Sequence, residues 1–134
     1  MKTHTAALHC LLYRSVITPT ESIQCVADIV KTARSFNKEY GITGILIFDG
    51  QRFCQYIEGP PTAMQLLTDS IMRDPRHTEF TTLLSAPTSQ RRFGHWAMAY
   101  VVLDDEEPLD NIAKIPRENA LEHLQTLLPL LDAF

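Results

Sequence analysis

Three polar residues stand at positions where the sequence pattern predicts a dry, apolar surface. Asn37 continues the apolar stripe of a predicted helix, and Gln55 alternates with apolar residues along a predicted strand. Tyr13 shares one side of another predicted strand with Leu11. A buried amide without a partner costs on the order of 1–3 kcal/mol. These side chains therefore need hydrogen-bond partners, which belong either to the protein or to a bound molecule.

A phenol and two amides in one dry layer offer several hydrogen-bond donors and acceptors. One interpretation is that Tyr13, Asn37 and Gln55 line a single site for a planar ligand that is rich in such groups. The other is that each is an ordinary core residue. Tyr13 would then reach a backbone carbonyl, Gln55 would bridge a strand edge, and Asn37 would cap the end of its own helix. The spacing leaves both interpretations open.

Other reactive residues form no recognisable catalytic or metal-binding pattern. None of the five histidines makes a metal-like pair with a histidine, a cysteine or a carboxylate, and nucleophile elbows and phosphate-binding loops are absent from the sequence. Glu58 and Asp74 are carboxylates that no pattern places together. Arg91-Arg92 is interpreted as a solvated turn, and Trp96, taken alone, as a core or interface aromatic residue. The sequence therefore predicts no metal site.

The composition is that of one ordinary globular domain. The chain has 134 residues, of which 45% are hydrophobic and 21% charged, so a real core is expected. A net charge of -4 argues against a nucleic-acid partner, and no apolar run is long enough to cross a membrane. The N-terminus lacks a signal-peptide core. Three cysteines without metal or redox spacing are expected to be buried thiols, which favours the cytoplasm.

Periodicity and turn signals predict the elements that position the polar residues. The predicted elements are strands at 9–13, 44–48, 52–58, 80–84 and 98–103, a helix opening at Pro19 or Thr20 and stopping before Gly41, a helix at 62–73, and a last helix at 117–131. The Asp49-Gly50 pair predicts a hairpin. This order predicts an α+β, ferredoxin-like βαββαββ sheet with two helices on one face.

The other face of the predicted sheet also needs a cover. Leu8, Cys10 and Leu12 share one side of the first strand, and an apolar face of that size is unusual in a monomer. The C-terminal helix, a partner subunit, or both must lie on it. We therefore expect one domain at 1–103, followed at 104–134 by an acidic linker and the C-terminal helix.

Five sequence blocks resemble the BLUF family, the sensors of blue light using FAD. The blocks are LLYRS at 11–15, NKEYGITG at 37–44, FCQYIEGP at 53–60, DPRH at 74–77 and RRFGHWAM at 91–98. They occur in the order and spacing of the family over roughly residues 8–103. The resemblance implies a ferredoxin-like domain with a noncovalently bound flavin between its two helices. FAD is the expected flavin, and FMN or riboflavin are the alternatives.

The resemblance also implies roles for individual residues. Tyr13 matches the photoactive tyrosine of the family, and Gln55 matches the glutamine between that tyrosine and the flavin. Asn37 matches the asparagine that bonds the pyrimidine edge of the flavin. Asp74 and Arg76 fall near positions associated with its ribityl and phosphate end.

Two further matches concern signal output. Trp96 and Met98 match the tryptophan and methionine whose placement is linked to signalling, and Met98 is also expected among the flavin contacts. The chain departs from the common pattern at three positions: Phe36 replaces an Asn or His, Ala97 replaces a frequent Ser, and Ser70 stands where some members have a basic residue. None of these departures removes the set of Tyr13, Gln55 and Asn37.

The function that the resemblance implies is light sensing. An excited flavin is a strong oxidant, Tyr13 can supply an electron and then a proton, and Gln55 can relay the proton because its amide both donates and accepts. Rotation or tautomerisation of that amide would leave a new hydrogen-bond pattern and no product. We therefore expect a photoreceptor, not an enzyme, which signals to a separate effector protein and forms a homo-oligomer. The alternatives are a flavin-dependent enzyme and a flavin-free interaction module.

Overall fold

The computed structural model describes residues 7–93, 97–104, 106–112 and 114–126. Within these ranges the strands are β1 (Leu8–Ile17), β2 (Thr43–Phe48), β3 (Arg52–Gly59), β4 (His77–Thr88) and β5 (Ala99–Val102). The helices are α1 (Gln24–Tyr40), α2 (Pro61–Arg73), α3 (Glu107–Ile112) and α4 (Arg117–Thr126). None of these helices combines the length and apolarity needed to span a membrane.

The five strands form one mixed sheet in the order β4-β1-β3-β2-β5. The neighbours are antiparallel except β2 and β5, which run parallel. The β2–β3 turn has the predicted Asp49-Gly50 sequence, with Gly50 at φ 100°. The Asp49 carboxylate accepts hydrogen bonds from the backbone N–H groups of Gln51 and Arg52 at 2.9 and 2.7 Å. The predicted ferredoxin-like α+β fold is confirmed.

Apolar side chains cover both faces of the sheet. On one face, α1 and α2 pack Val26, Val30 and Met64 against the strands. On the other, the short helices after β5 cover the side chains of Cys10 and Leu12. The residues that form this cover are Leu109, Ile112, Ala120, Leu121 and Leu124. The prediction that C-terminal helix residues cover the second face is therefore confirmed as far as Thr126, and Leu128 and Leu131 lie outside the described residues.

Helix α1 begins four or five residues later than predicted. The residues around Pro19 and Thr20 form a turn, which the backbone N–H of Glu21 closes on the carbonyl of Thr18. Thr18 itself bonds the carbonyls of Pro75 and Arg76. Because these bonds hold the connection against the α2–β4 loop, it cannot extend the helix, and Glu21 lies outside the first helical turn.

Helix α3 lies where the sequence predicted an acidic linker to the last helix. Its six residues are too few to show a helical period, although Leu109 and Ile112 are fully buried. Strand β4 is also longer than predicted. It lies at the sheet edge, where exposed residues such as Thr78 and Thr81 mask its strand signal.

Candidate functional site

Tyr13 and Gln55 are cross-strand partners on the face covered by α1 and α2. In the antiparallel β1–β3 pair, Tyr13 lies directly opposite Gln55, and both side chains are buried. The Tyr13 Oη donates a hydrogen bond of 2.5 Å to Gln55 Oε1. Burial raises the pKa of Tyr13 above its ordinary value, and the nearby Cys54 and Asp74 add to the effect. The phenol therefore keeps its proton and acts as the donor.

The other end of the Gln55 amide faces Met98, just before β5. Gln55 Nε2 donates to the sulfur of Met98 at 3.6 Å, and Met98 is buried. A thioether is only a weak acceptor, so this bond is the weaker of the two that the amide makes. The structure thus joins three of the predicted site residues, Tyr13, Gln55 and Met98, in one chain of contacts.

Asn37 lies fully buried on the last turns of α1. Its Nδ2 donates to the carbonyl of Ala97 at 2.7 Å, so the side chain does not cap its own helix. Gly41 ends α1 as predicted, in the left-handed conformation at φ 72°. Among the described residues none donates a hydrogen bond to Asn37 Oδ1. A donor on a bound molecule would remove the cost of this unpaired oxygen.

A cavity lies between α1, α2 and the sheet, next to the Tyr13–Gln55 pair. Its apolar walls are formed by Ile29, Ala33, Leu46, Phe53, Leu67 and Ile71, and its polar groups belong to Tyr13, Gln55, Asp74 and His77. Mostly apolar walls with a few placed polar groups are typical of sites for planar organic ligands. The position agrees with the predicted site between the two helices.

Asp74 and Arg76 form a bidentate ion pair after the end of α2. Arg76 Nε and Nη2 donate to the two carboxylate oxygens of Asp74 at 2.9 and 2.7 Å. Burial alone would raise the pKa of Asp74, but the hydrogen bonds and charge of Arg76 outweigh it and lower that pKa. Asp74 lines the cavity and Arg76 does not, so the carboxylate is the group of this pair that faces the cavity.

Two residues contact the site although no sequence pattern indicated a role for them there. The two ring nitrogens of His77 lie 2.7 Å from Ser15 Oγ and 2.6 Å from the carbonyl of Ile71, so His77 joins β1, β4 and α2. Arg34 donates from Nε to the carbonyl of Met98 at 3.0 Å. The contacts of His77 with Ser15 and of Arg34 with Met98 join residues 62 and 64 positions apart and therefore leave no local pattern. His77 also precedes the predicted start of its strand.

In the Arg91-Arg92 segment, Arg92 is exposed as expected for a solvated turn, but Arg91 is not free in solvent. The Arg91 guanidinium donates to the carbonyl of Gly41 at 2.6 Å and to Thr43 Oγ1 at 2.9 Å. The carboxylate of Glu58, which is fully buried, accepts the backbone N–H groups of Arg92 and Phe93. Burying that carboxylate is tolerable because these donors satisfy it.

The other residues that the sequence analysis singled out do not come together in one site in the described part of the chain. Glu58 comes three positions after Gln55 on β3 and therefore points to the opposite face of the sheet. It forms no pair with Asp74. Phe36 stacks on Tyr40 with ring centroids 4.4 Å apart, and Ser70 is exposed on α2. Trp96 lies outside the described residues. No group of potential metal ligands occurs in the part of the chain that the structure describes.

Comparisons with known proteins agree on one family. The family model described as sensors of blue-light using FAD matches residues 8–99. The blue light- and temperature-regulated antirepressor BluF of Escherichia coli (strain K12) is 36% identical over 88 residues, which are 66% of this chain and 22% of the relative. Photoactivated adenylate cyclase subunit alpha of Euglena gracilis is 32% identical over 117 residues, 86% of this chain and 11% of the relative. The chain therefore spans only a minor part of either relative.

Solved structures show the same fold over nearly the whole chain. The dark-state structure of BlrB, a BLUF protein, is 32% identical with a TM-score of 0.77, covering 90% of this chain and 94% of that one. BlsA in its photo-activated state is 26% identical with a TM-score of 0.81, at 91% and 95% coverage. Klebsiella pneumoniae BlrP1 with FMN and cyclic diGMP is 32% identical with a TM-score of 0.66, at 95% and 34% coverage.

Proposed function

The chain belongs to the BLUF family of flavin-binding blue-light sensors, and from this premise we propose that Tyr13, Gln55 and Met98 form its light-driven hydrogen-bond switch. The observation that carries the proposal is the bond between Tyr13 Oη and Gln55 Oε1 at the wall of a cavity between two helices. A proton donor and a two-ended amide in direct contact are the parts that such a switch needs.

Flavin fits the chemistry of the cavity. Its imide N–H is a donor that suits the unpaired Oδ1 of Asn37, and its carbonyls suit the amide N–H groups of the site. Asp74 and Arg76 would hold the ribityl or phosphate end. Binding would be noncovalent, since Cys10 and Cys54 belong to the core on the opposite face of the sheet, and Cys25, although on the cavity face, does not line the cavity. FAD is the flavin that we propose, with FMN or riboflavin as the alternatives.

A bound flavin supplies absorption of blue light and, once excited, a strong oxidant. The protein holds the proton at Tyr13 Oη in the dark, because the ordinary pKa of a phenol already lies well above neutral pH and burial raises it further. Gln55 Oε1 is placed to receive that proton. Rotation of the amide would turn Nε2 toward Tyr13 and Oε1 toward the sulfur of Met98, which has no hydrogen to donate. The rotated arrangement loses a hydrogen bond, which favours thermal return.

The light signal would be passed to another protein. The named relatives include an antirepressor and an adenylate cyclase subunit, so light sensing in this family accompanies different outputs. We propose that residues 1–103 sense light, that residues 104–134 pass the signal on, and that a separate effector receives it in the cytoplasm. We also propose that the chain forms a homo-oligomer and catalyses no reaction of its own.

The absorption spectrum of the purified protein before and after blue light tests the proposal. A yellow protein whose flavin bands shift slightly to the red and return in the dark is the expected result. Steady NAD(P)H oxidation would favour a flavin-dependent enzyme instead. A protein that stays colourless after FAD is added would contradict flavin binding and favour an interaction module.

A further inference from the structure

Two side chains of α1 hold the backbone on both sides of the Met98 Cα. Asn37 Nδ2 bonds the carbonyl of Ala97 at 2.7 Å, and Arg34 Nε bonds the carbonyl of Met98 at 3.0 Å. The two residues are three positions apart and therefore share one side of the helix. The peptide units before and after Met98 are thus both fixed to α1.

We infer that Arg34 is a positioning residue of the light switch, which keeps the sulfur of Met98 against the Gln55 amide. A methionine side chain has three rotatable bonds, so its sulfur stays at one place only if its backbone is fixed. The sulfur lies 3.6 Å from Gln55 Nε2. This inference rests on the proposed function, since it concerns the dark arrangement of the same switch.

Arg34 can be changed without altering the cavity itself. Its side chain is exposed on α1 and is not among the residues that line the cavity, whereas Asn37 is fully buried and is a proposed flavin contact. Its bond to the Met98 carbonyl is charge-assisted and so stronger than one between neutral groups. The Met98 sulfur must come back to Gln55 Nε2 on the path to the dark arrangement, and the Arg34 bond holds the backbone that carries it. Loss of this bond therefore raises the barrier of that path, and return after illumination becomes slower.

The first test compares dark recovery of the red-shifted band in Arg34→Met and Arg34→Gln. Methionine has the length of the arginine stem up to Nε but no donor, whereas glutamine places an N–H donor at the same position. Arg34→Met should recover more slowly by a factor on the order of two to ten, the range that one hydrogen bond corresponds to. Arg34→Gln should recover close to the wild-type rate. Arg73→Met, an exposed change on α2, is the matched control and should not differ from wild type.

A recovery of Arg34→Met as fast as wild type or faster overturns the inference, and so does an Arg34→Gln variant as slow as Arg34→Met. The second test places Arg34→Met in a Met98→Leu background, where the sulfur is absent. There it should have no further effect on recovery, and an undiminished slowing would show that Arg34 acts elsewhere. A wild-type protein that binds flavin but shows no red shift would contradict the proposed function itself. A normal wild-type photocycle with unchanged variants would contradict only the role of Arg34.

Discussion

Tyr13 on β1 and Gln55 on β3 face each other across an antiparallel strand pair, with the phenolic oxygen 2.5 Å from the amide oxygen. Directly opposite residues have Cβ atoms about 4.5–5.5 Å apart, so their side chains meet without any loop movement. The pair sits between two further strands, because β4 flanks β1 and β2 flanks β3. The donor and acceptor of the proposed switch are therefore positioned by interior strands of the sheet.

Tyr13→Phe should keep flavin bound and abolish the normal red shift. The phenylalanine ring still packs against Phe80, whose ring is stacked on Tyr13 with centroids 4.7 Å apart, but the phenolic proton is gone. Gln55→Leu should behave in the same way, because it removes both ends of the amide. The measurements are the ratio of flavin to protein and the light-minus-dark spectrum. A wild-type photocycle in either variant would show that the relay from Tyr13 to Gln55 is wrong.

Asn37→Ala should weaken flavin binding. Removing the amide withdraws both the acceptor proposed for the flavin and the donor to the Ala97 carbonyl, and polar atoms are left unpaired in a buried site. A loss of about 1–3 kcal/mol corresponds to roughly a 5- to 150-fold increase in Kd. Titration of the apoprotein with FAD measures it. Lys38→Ala, an exposed change in the next residue of α1, is the control, and equal affinities in the two variants would refute the role of Asn37.

Denaturation should release all the flavin. Cys10 and Cys54 pack with the core under α3 and α4, away from the cavity, and all three cysteines are free and buried. Heat or acid treatment followed by centrifugation should leave the yellow colour in the supernatant. Flavin that remains on the denatured chain would show a covalent link.

The fold should lose stability as the pH rises above about 9, partly through Cys54. Burial raises the pKa of this thiol to about 12, although the charge of Arg14 opposes the effect. Between the ordinary and the raised pKa, the unfolded chain loses the proton and the folded chain keeps it, so unfolding becomes easier as pH rises. Cys54→Val should remove about 1.4 kcal/mol per pH unit from this slope. Urea unfolding at pH 7, 9 and 10.5 measures the slope, and identical slopes in both proteins would exclude a contribution from Cys54.

The site residues that sequence patterns identified carry a local signal. The site residues that were missed make contacts with residues far away in the chain. Gln55 and Tyr13 stood out because strand alternation places a polar group on an apolar face, which is a local signal. The Asp49-Gly50 pair that predicted the turn is likewise a local signal. The roles of Arg34 and His77 depend on residues 64 and 62 positions away, which no period encodes.

The short helix α3 shows the same limit at the level of secondary structure. Six residues give fewer than two helical turns, so the apolar positions Leu109 and Ile112 show no repeating pattern. What fixes the helix is tertiary: Arg14 donates to the carbonyl of Leu109 at 3.3 Å, and Arg52 lies 3.4 Å from the carboxylate of Asp110. Both arginines belong to strands far earlier in the chain.

Light should change the protection of the C-terminal helices from hydrogen exchange. The residues at β5 face two cores: Met98, just before the strand, and Tyr100 belong to the core on the cavity face, whereas Ala99 and Val101 pack with the core under α3 and α4. A shift of Met98 that follows a change at Gln55 would therefore move residues that contact those helices. We therefore propose that β5 is the element whose position the switch changes.

We expect amides in α3 and α4 to exchange faster in the light than in the dark. The hairpin at Asp49-Gly50 should keep its protection, since the Asp49 carboxylate holds the following backbone N–H groups within the turn. Hydrogen exchange with mass spectrometry on wild type and on Met98→Ala measures both, and the light effect should be smaller in the variant. Equal protection of α3 and α4 in dark and light would show that they form a static cover. The signal would then have to leave through another surface, such as the Arg91-Arg92 segment or a contact between subunits.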